Sequence, residues 1–502
     1  MRKVEIIDML QERKNRQMQQ KSIKENSILN VIKTISSIIF PLITFPYISR
    51  VLLPNNVGKI NFGTSFISYF SMIASLGITT YAIRECSAVR ENKSKLAKKV
   101  SEIFSINICT TFIAYVLLAV SLILFRKLDN YRILIIIQST TILFATLGAD
   151  WLNSAMEDFK YITIRTIAFQ VISLFLMFCL VRTPDDYIKY AVISVFSSSG
   201  ANIVNIFYRK RFCDVRITND MNWKIHFKPI FLLFVMIMAQ TIFSSADQTM
   251  LGIMKGNYEV GIYSTALKIE NIILQVVASL VWVVMPRLSI YFAEEDYKKI
   301  NGILKKTLSI FMVIGCPAIA GVWALSNEIV MIIGGKNFLD SALPLNILML
   351  AFAFSLIGGS FLGNMVLLPS KKENVYMWIC CITAVFNVVM NYILIPHGGA
   401  SAAAFTTALS SLLILILLLL KKDKRIKLDY IVEVIISPLI GSVVIFVYCK
   451  IIEILFTGLW SRTIVSILGS IILYCLVMIM MKNDLCMELI EAIKTRIKRH
   501  SK

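Results

Sequence analysis

Residues 244–275, SSADQTMLGIMKGNYEVGIYSTALKIENIILQ, decide how this chain is read. Asp247 closes one apolar run, while Lys268 and Glu270 sit inside the next. A charge at that depth is costly in lipid, about 3 kcal/mol for a lysine even on the forgiving insertion scale. Such residues are expected only where they meet water, a partner or a ligand. At 100° per residue, Ser264, Lys268, Asn271 and Gln275 fall on one helical face, so the charge belongs to a polar stripe rather than standing alone.

The surrounding composition sets the stage for that stripe. The chain has 502 residues, of which 57% are hydrophobic and 17% charged. Soluble domains carry about a quarter charged residues, so this is a membrane protein by composition. Apolar runs of about 20 residues match the thickness of the hydrocarbon layer as helix, and no alternating barrel pattern is present. Fourteen spans are read, near 26–49, 59–83, 100–125, 132–154, 161–181, 187–208, 229–251, 258–285, 305–326, 341–364, 374–395, 399–420, 429–451 and 461–481. Most of the 52 Lys and Arg fall in alternate connections that also hold both ends of the chain, which places both termini in the cytoplasm. The net charge of +21 is therefore a topology signal and an attraction for anionic membrane lipids, not a nucleic-acid footprint.

Several classes are disfavoured. Residues 1–25 are polar and charged, without the apolar core of a signal peptide, so the first span is expected to act as the anchor. The ten cysteines are scattered and the three histidines lie far apart, so neither a disulfide framework nor a metal site is expected. No phosphate loop, nucleophile elbow or cofactor motif is found, and the outer loops are short. An enzyme is not expected, nor a cofactor.

The expected organisation is a cytoplasmic segment 1–25, an N-lobe 26–208, a cytoplasmic linker 209–228, a C-lobe 229–420, two further spans within 429–481, and a basic tail 482–502. A faint repeat joins VLLPNNVGKINFGTSF to TMLGIMKGNYEVGIYSTALK at an offset of 203 residues, which sets Asn61 on Ser264 and Ser65 on Lys268. An even number of spans lies between them, so the halves would be parallel repeats, a standard transporter plan.

Other spans carry polar faces too: Lys33 in span 1, Asn61 and Ser65 in span 2, Asn387 and Asn391 in span 11. Together with the Ser264–Gln275 face they are expected to line a solvated cavity and to bind substrate. The same stripes also suit interhelical packing, and Lys33 also has the reach to snorkel. Asp247 is a candidate coupling site, an interfacial cap, or a partner for Lys268. Asp150, Glu157 and Arg165 form a second cluster, read as a gate or as a clasp joining spans 4 and 5.

Residues 40–85 (FPLITFPYISRVLLPNNVGKINFGTSF…), SADQTMLGIMKGNYEVGIYSTALKI and NVVMNYILIPHGGASAAAFTTALSSL (387–412) resemble the Wzx-type polysaccharide flippases. These belong to the superfamily of lipid II flippases and multidrug exporters. The resemblance covers essentially the whole chain. It implies an all-α polytopic membrane protein with two pseudo-symmetric six-helix lobes around a central cavity, plus two C-terminal helices. It also implies a lipid-linked oligosaccharide substrate, carried on undecaprenyl pyrophosphate and turned across the bacterial plasma membrane. Polysaccharide polymerase and chain-length machinery would be its partners, and H+ or Na+ its coupling ion. An ion-coupled multidrug or small-solute antiporter is the alternative; a membrane glycosyltransferase would need outer-loop or interfacial acids not found here, and a non-transporting scaffold would be marked by transport-dead variants without a phenotype.

Overall fold

In a computed structural model, backbone is described for residues 2–218, 223–488 and 491. Within those ranges side chains are described from residue 35 onward, except 223, 224, 232, 282 and 283, and before it for Leu29 and Ile32. The side chains of residues 1–25 and of Lys33, and most of the 482–502 tail, on which expectations rested, thus lie outside the described residues.

The described chain is helical, and twelve of its helices are long and apolar enough to cross a membrane. Two of these are too long for a single crossing. At 1.5 Å per residue, 53 helical residues (Ile35–Ser87) span about 80 Å and 49 (Glu373–Lys421) about 74 Å, against about 30 Å of hydrocarbon. Each is broken near its middle. Leu53 leaves the helical region with a positive φ (φ 62°, ψ 166°); the following proline disfavours the α region at this position, and Pro54 then fits the first helical turn. Gly399 (φ 52°, ψ −132°) breaks the other helix. The sequence predicted an open connection over 50–58; the structure confines the break to Leu53 and keeps the rest helical.

Internal packing divides the chain into two units, one of Met1–Leu52 and Gly63–Thr241, the other of Leu53–Phe62 and Ile242–Lys502. The short segment Leu53–Phe62 therefore packs with the second half of the chain.

In the first unit, two spans are interrupted and the freed backbone groups find side-chain partners, as they must in lipid. The span-2 helix breaks at Leu76 and Gly77, both with positive φ, and the carbonyl of Ala74 accepts from Asn107 Nδ2 (2.9 Å) and Thr110 Oγ1 (2.6 Å). The span-4 helix, Arg132–Gly148, ends at Ala149 (φ 48°). There the Gly148 carbonyl accepts from Asn205 Nδ2 (2.7 Å) and the Leu147 carbonyl from Arg209 Nη1 (2.6 Å). A third polar contact pins the first turns of Trp223–Met254: His226 is buried, with Nδ1 2.7 Å from the Tyr81 hydroxyl and Nε2 3.2 Å from Glu102 Oε2.

In the second unit, Gly58 and Gly261 mark a close helix crossing. A Cβ on Gly58 would lie 1.8 Å from the Asn257 carbonyl oxygen, and one on Gly261 2.2 Å from that of Pro54. Only glycine permits that approach. One turn further along, Asn61 Nδ2 donates to Ser264 Oγ at 2.9 Å. The offset of 203 residues found in the sequence thus appears as direct contact between the two matched segments. Residues Leu356–Leu367 form a π-helix, a rare form concentrated at functional sites.

Candidate functional site

Spacing placed Ser264, Lys268, Asn271 and Gln275 on one face of Asn257–Ala293, and their exposure grades along it. Ser264 is buried in the crossing, Lys268 is half-buried, and Asn271 and Gln275 are exposed. Glu270, on a different face, is buried. The stripe therefore starts in packed protein and opens outward, with its cation at the transition.

Asn387 and Asn391 behave differently. Both are fully buried, and they join Asp247 in a closed polar knot. Asp247 Oδ1 accepts from Asn391 Nδ2 (2.5 Å), and Oδ2 from the Tyr263 hydroxyl (2.5 Å) and Thr407 Oγ1 (2.6 Å). Asn391 Nδ2 also donates to Asn387 Oδ1 (3.0 Å), and Thr406 Oγ1 donates to Asn391 Oδ1. Asp247 is thus neither an interfacial cap nor the partner of Lys268. Burial of a carboxylate is tolerated here because three donors replace its water. Asn387 Nδ2 is the one buried amide group of the knot with no acceptor among the described residues. The two asparagines face this knot rather than open space. Sequence reasoning missed Tyr263, Thr406 and Thr407; the only signal was the hydroxyl pair in AAAFTTALSS.

In the first unit, Ser65 is buried, with its carbonyl accepting from Ser68 Oγ at 2.7 Å. The clasp joining spans 4 and 5 forms through Asp150 alone. Arg165, itself buried, places Nη2 2.5 Å from Asp150 Oδ1, which also accepts from Asn153 Nδ2 (3.1 Å). Arg165 Nε and Nη1 have no partner among the described residues. Glu157 is not part of the clasp. The helix that begins at Asp150 ends at Ala155 and the positive φ of Glu157 turns its side chain away, so that it pairs with Arg90 at 2.7 Å in an exposed position. Asn205 and Arg209, which hold the broken end of span 4, were invisible to periodicity because their role depends on a break in another helix.

A separate apolar groove of about 340 Å³ lies in the second unit, between Tyr297–Ile333 and the two C-terminal helices, lined by Val313, Pro317, Ile445 and Ile471 among others.

A family model described as "Polysaccharide biosynthesis protein" matches residues 23–292, more than half of the chain. The chain belongs to that family. A second model, MatE, matches residues 233–393 of this polysaccharide biosynthesis family member. A Shigella dysenteriae protein named "Putative O-antigen transporter" is 22% identical over 381 residues, covering 75% of this chain and 94% of that protein. The Staphylococcus aureus "Capsular polysaccharide biosynthesis protein CapF" is 22% identical over 379 residues, covering 74% of this chain and 90% of its own length. Among solved structures, "Lipid II flippase MurJ, inward closed conformation" superposes with a TM-score of 0.72 at 16% identity, covering 92% of this chain and 99% of that one. "Crystal structure of MATE in the bent conformation" gives 0.54 at 15% identity, covering 80% and 94%. These likenesses to solved structures are ones of fold.

Proposed function

We propose that this chain is a flippase that moves undecaprenyl-pyrophosphate-linked oligosaccharide repeat units from the inner to the outer leaflet of the bacterial plasma membrane, for capsule, O-antigen or exopolysaccharide synthesis. The observation that carries the reading is the graded polar face of Asn257–Ala293, with a cation part-way along it, in a member of the polysaccharide biosynthesis family. Lys268 is a point-charge partner for a phosphate, and Asn271 and Gln275 offer the donors and acceptors that sugar hydroxyls need in place of water. Ser65 and Ser264 are buried and Asn61 is half-buried against Ser264, so these three support the polar face from packed protein rather than line it. The apolar groove beside the C-terminal helices suits the lipid tail.

In this reading fourteen spans place both termini in the cytoplasm, and two six-helix lobes alternate access around the central cavity. The Asp247 knot is the coupling site. Uptake of a proton or a small cation by this carboxylate would displace the Asn391, Tyr263 and Thr407 donors that now hold it, which couples the ion to a rearrangement of the knot. Asp150 and Arg165 serve the gate. No covalent step and no cofactor is involved. The polymerase and chain-length machinery would receive the product.

The test is leaflet accessibility of a labelled undecaprenyl-pyrophosphate oligosaccharide in proteoliposomes, for wild type and Lys268→Ala. Transfer by wild type that falls at least tenfold in a folded variant supports the cationic face. Undiminished transfer by the variant makes Lys268 structural. The MatE match over 233–393 favours one second reading, an ion-coupled antiporter. Efflux of small organic cations, with no glycolipid transfer, would establish it instead.

A further inference from the structure

The second unit carries a polar cavity of about 660 Å³ that none of the preceding roles uses. It is formed where the helices containing Tyr258, Ser401 and Asn346 begin and those containing Trp323 and Lys450 end. Alternation of the spans puts all of these on the side opposite the termini. The size lies within the usual range for small-ligand sites.

Its lining has a specific chemistry. Trp323 and Tyr258 are each more than a third exposed, at 37% and 38%, yet both rings are fixed. The Trp323 indole Nε1 donates to the Asn346 carbonyl at 2.9 Å, and the Tyr258 hydroxyl to Asp340 Oδ2 at 2.6 Å. Glu259 Oε2 accepts from the backbone N–H of Ala400 at 2.7 Å, which fixes that carboxylate against the helix restarting after Gly399. Each carboxylate thus commits one oxygen to structure and keeps the other. Asn346 Oδ1 is buried at the cavity with no partner among the described residues, although its Nδ2 is held by Ser326. Asn327 and Ser401 add further amide and hydroxyl groups.

Exposed Trp and Tyr near a helix end also suit the aromatic belt of a membrane interface. Belt rings meet lipid, however, whereas these two line a cavity with amides and carboxylates. We propose that this cavity is a glycan-docking site on the outer face. Its two immobilised rings take the C–H faces of pyranose units, and its amide and carboxylate oxygens take their hydroxyls. Rings that are already fixed lose little entropy when they bind, so the site is organised before its ligand arrives. The proposal rests on the flippase reading, and assigns the sugar part of the delivered product a landing place distinct from Lys268.

The experiment uses full-length protein in nanodiscs, with oligosaccharide released by mild acid from the producing cell's own lipid-linked pool. Saturation-transfer NMR of the sugar protons reads binding, and proteoliposome transfer is measured in parallel. Wild type should bind saturably, and Trp323→Leu should weaken binding about tenfold or more. Because Trp323 is partly packed, Asn327→Trp provides a second variant. It fills the cavity from an exposed position and should abolish binding. Equal binding by wild type and both variants overturns the site, as does wild type that transfers glycolipid without binding the released sugar. Wild type that neither binds nor transfers overturns the flippase reading itself.

Discussion

Gly58→Ala and Gly261→Ala address the crossing that organises the second unit. A new Cβ would meet backbone oxygens at 1.8 and 2.2 Å, where ordinary contact begins near 3.4 Å. The helices must therefore part by about 1.6 Å for Gly58→Ala and about 1.2 Å for Gly261→Ala, because the obstructing atoms are main-chain and cannot rotate away. Overpacking of this kind costs about 1–3 kcal/mol. Separation by more than 1 Å also breaks the 2.9 Å hydrogen bond from Asn61 to Ser264, worth about 1 kcal/mol. Each variant should lose about 2–4 kcal/mol. One parting movement accommodates both methyl groups, so the double variant should be little worse than the more damaging single one. Gly302→Ala is the control: it is helical with nothing within 4 Å of a new Cβ, and should gain up to about 1 kcal/mol. Thermal unfolding in nanodiscs, read by the reactivity of the buried Cys449 thiol in a background with the other nine cysteines replaced, follows the second unit. Stability of Gly261→Ala equal to that of Gly302→Ala would refute the crossing, and additive losses in the double variant would refute the single movement.

Two further outcomes follow from the polar clusters. Asp247→Asn keeps the shape of the knot but not its charge, so transfer should become insensitive to an imposed ion gradient. Asp247→Ala removes the acceptor shared by three donors, of which Asn391 Nδ2 and Thr407 Oγ1 keep a second partner while the buried Tyr263 hydroxyl loses its carboxylate, and should cost about 1–3 kcal/mol in thermal unfolding. A full gradient response in the Asn variant would make Asp247 purely structural. At the other cluster, Arg165→Ala removes a buried guanidinium but leaves Asp150, a third exposed, to water, and should cost about 1–2 kcal/mol, while Glu157→Ala, which breaks an exposed pair, should stay within about 0.5 kcal/mol. The reverse ranking in melting experiments would return Glu157 to the clasp.

What the sequence made legible was whatever depends on local order. Apolar run lengths gave the helices and an interruption somewhere in 50–58, which the structure narrows to Leu53, and spacing placed Ser264, Lys268, Asn271 and Gln275 on one face. What depends on a distant partner stayed hidden. Asn387 and Asn391 looked like cavity lining because a polar stripe has the same periodicity whether it meets water or a buried carboxylate. Only contact with Asp247, 144 residues from Asn391, separates the two. Asn107, Thr110, Asn205 and Arg209 answer backbone groups that exist only because other helices break. Glu157 was misplaced for a related reason: a face drawn through Asp150 and Glu157 assumes an unbroken helix, whereas the helix that begins at Asp150 ends at Ala155 and Glu157 has a positive φ.

The segment Leu53–Phe62 leaves the ribosome about 190 residues before the first residue of the half it packs against. Until Asn257–Ala293 is made, the surface around Gly58 lacks its counterpart. The earlier-made half thus holds a key to a lock not yet built, and assembly of the later half has to reach back along the chain to close. A cut placed after residue 241 would leave that key on the wrong fragment. The C-terminal piece would then be incomplete alone, and the two pieces would have a built-in reason to find each other.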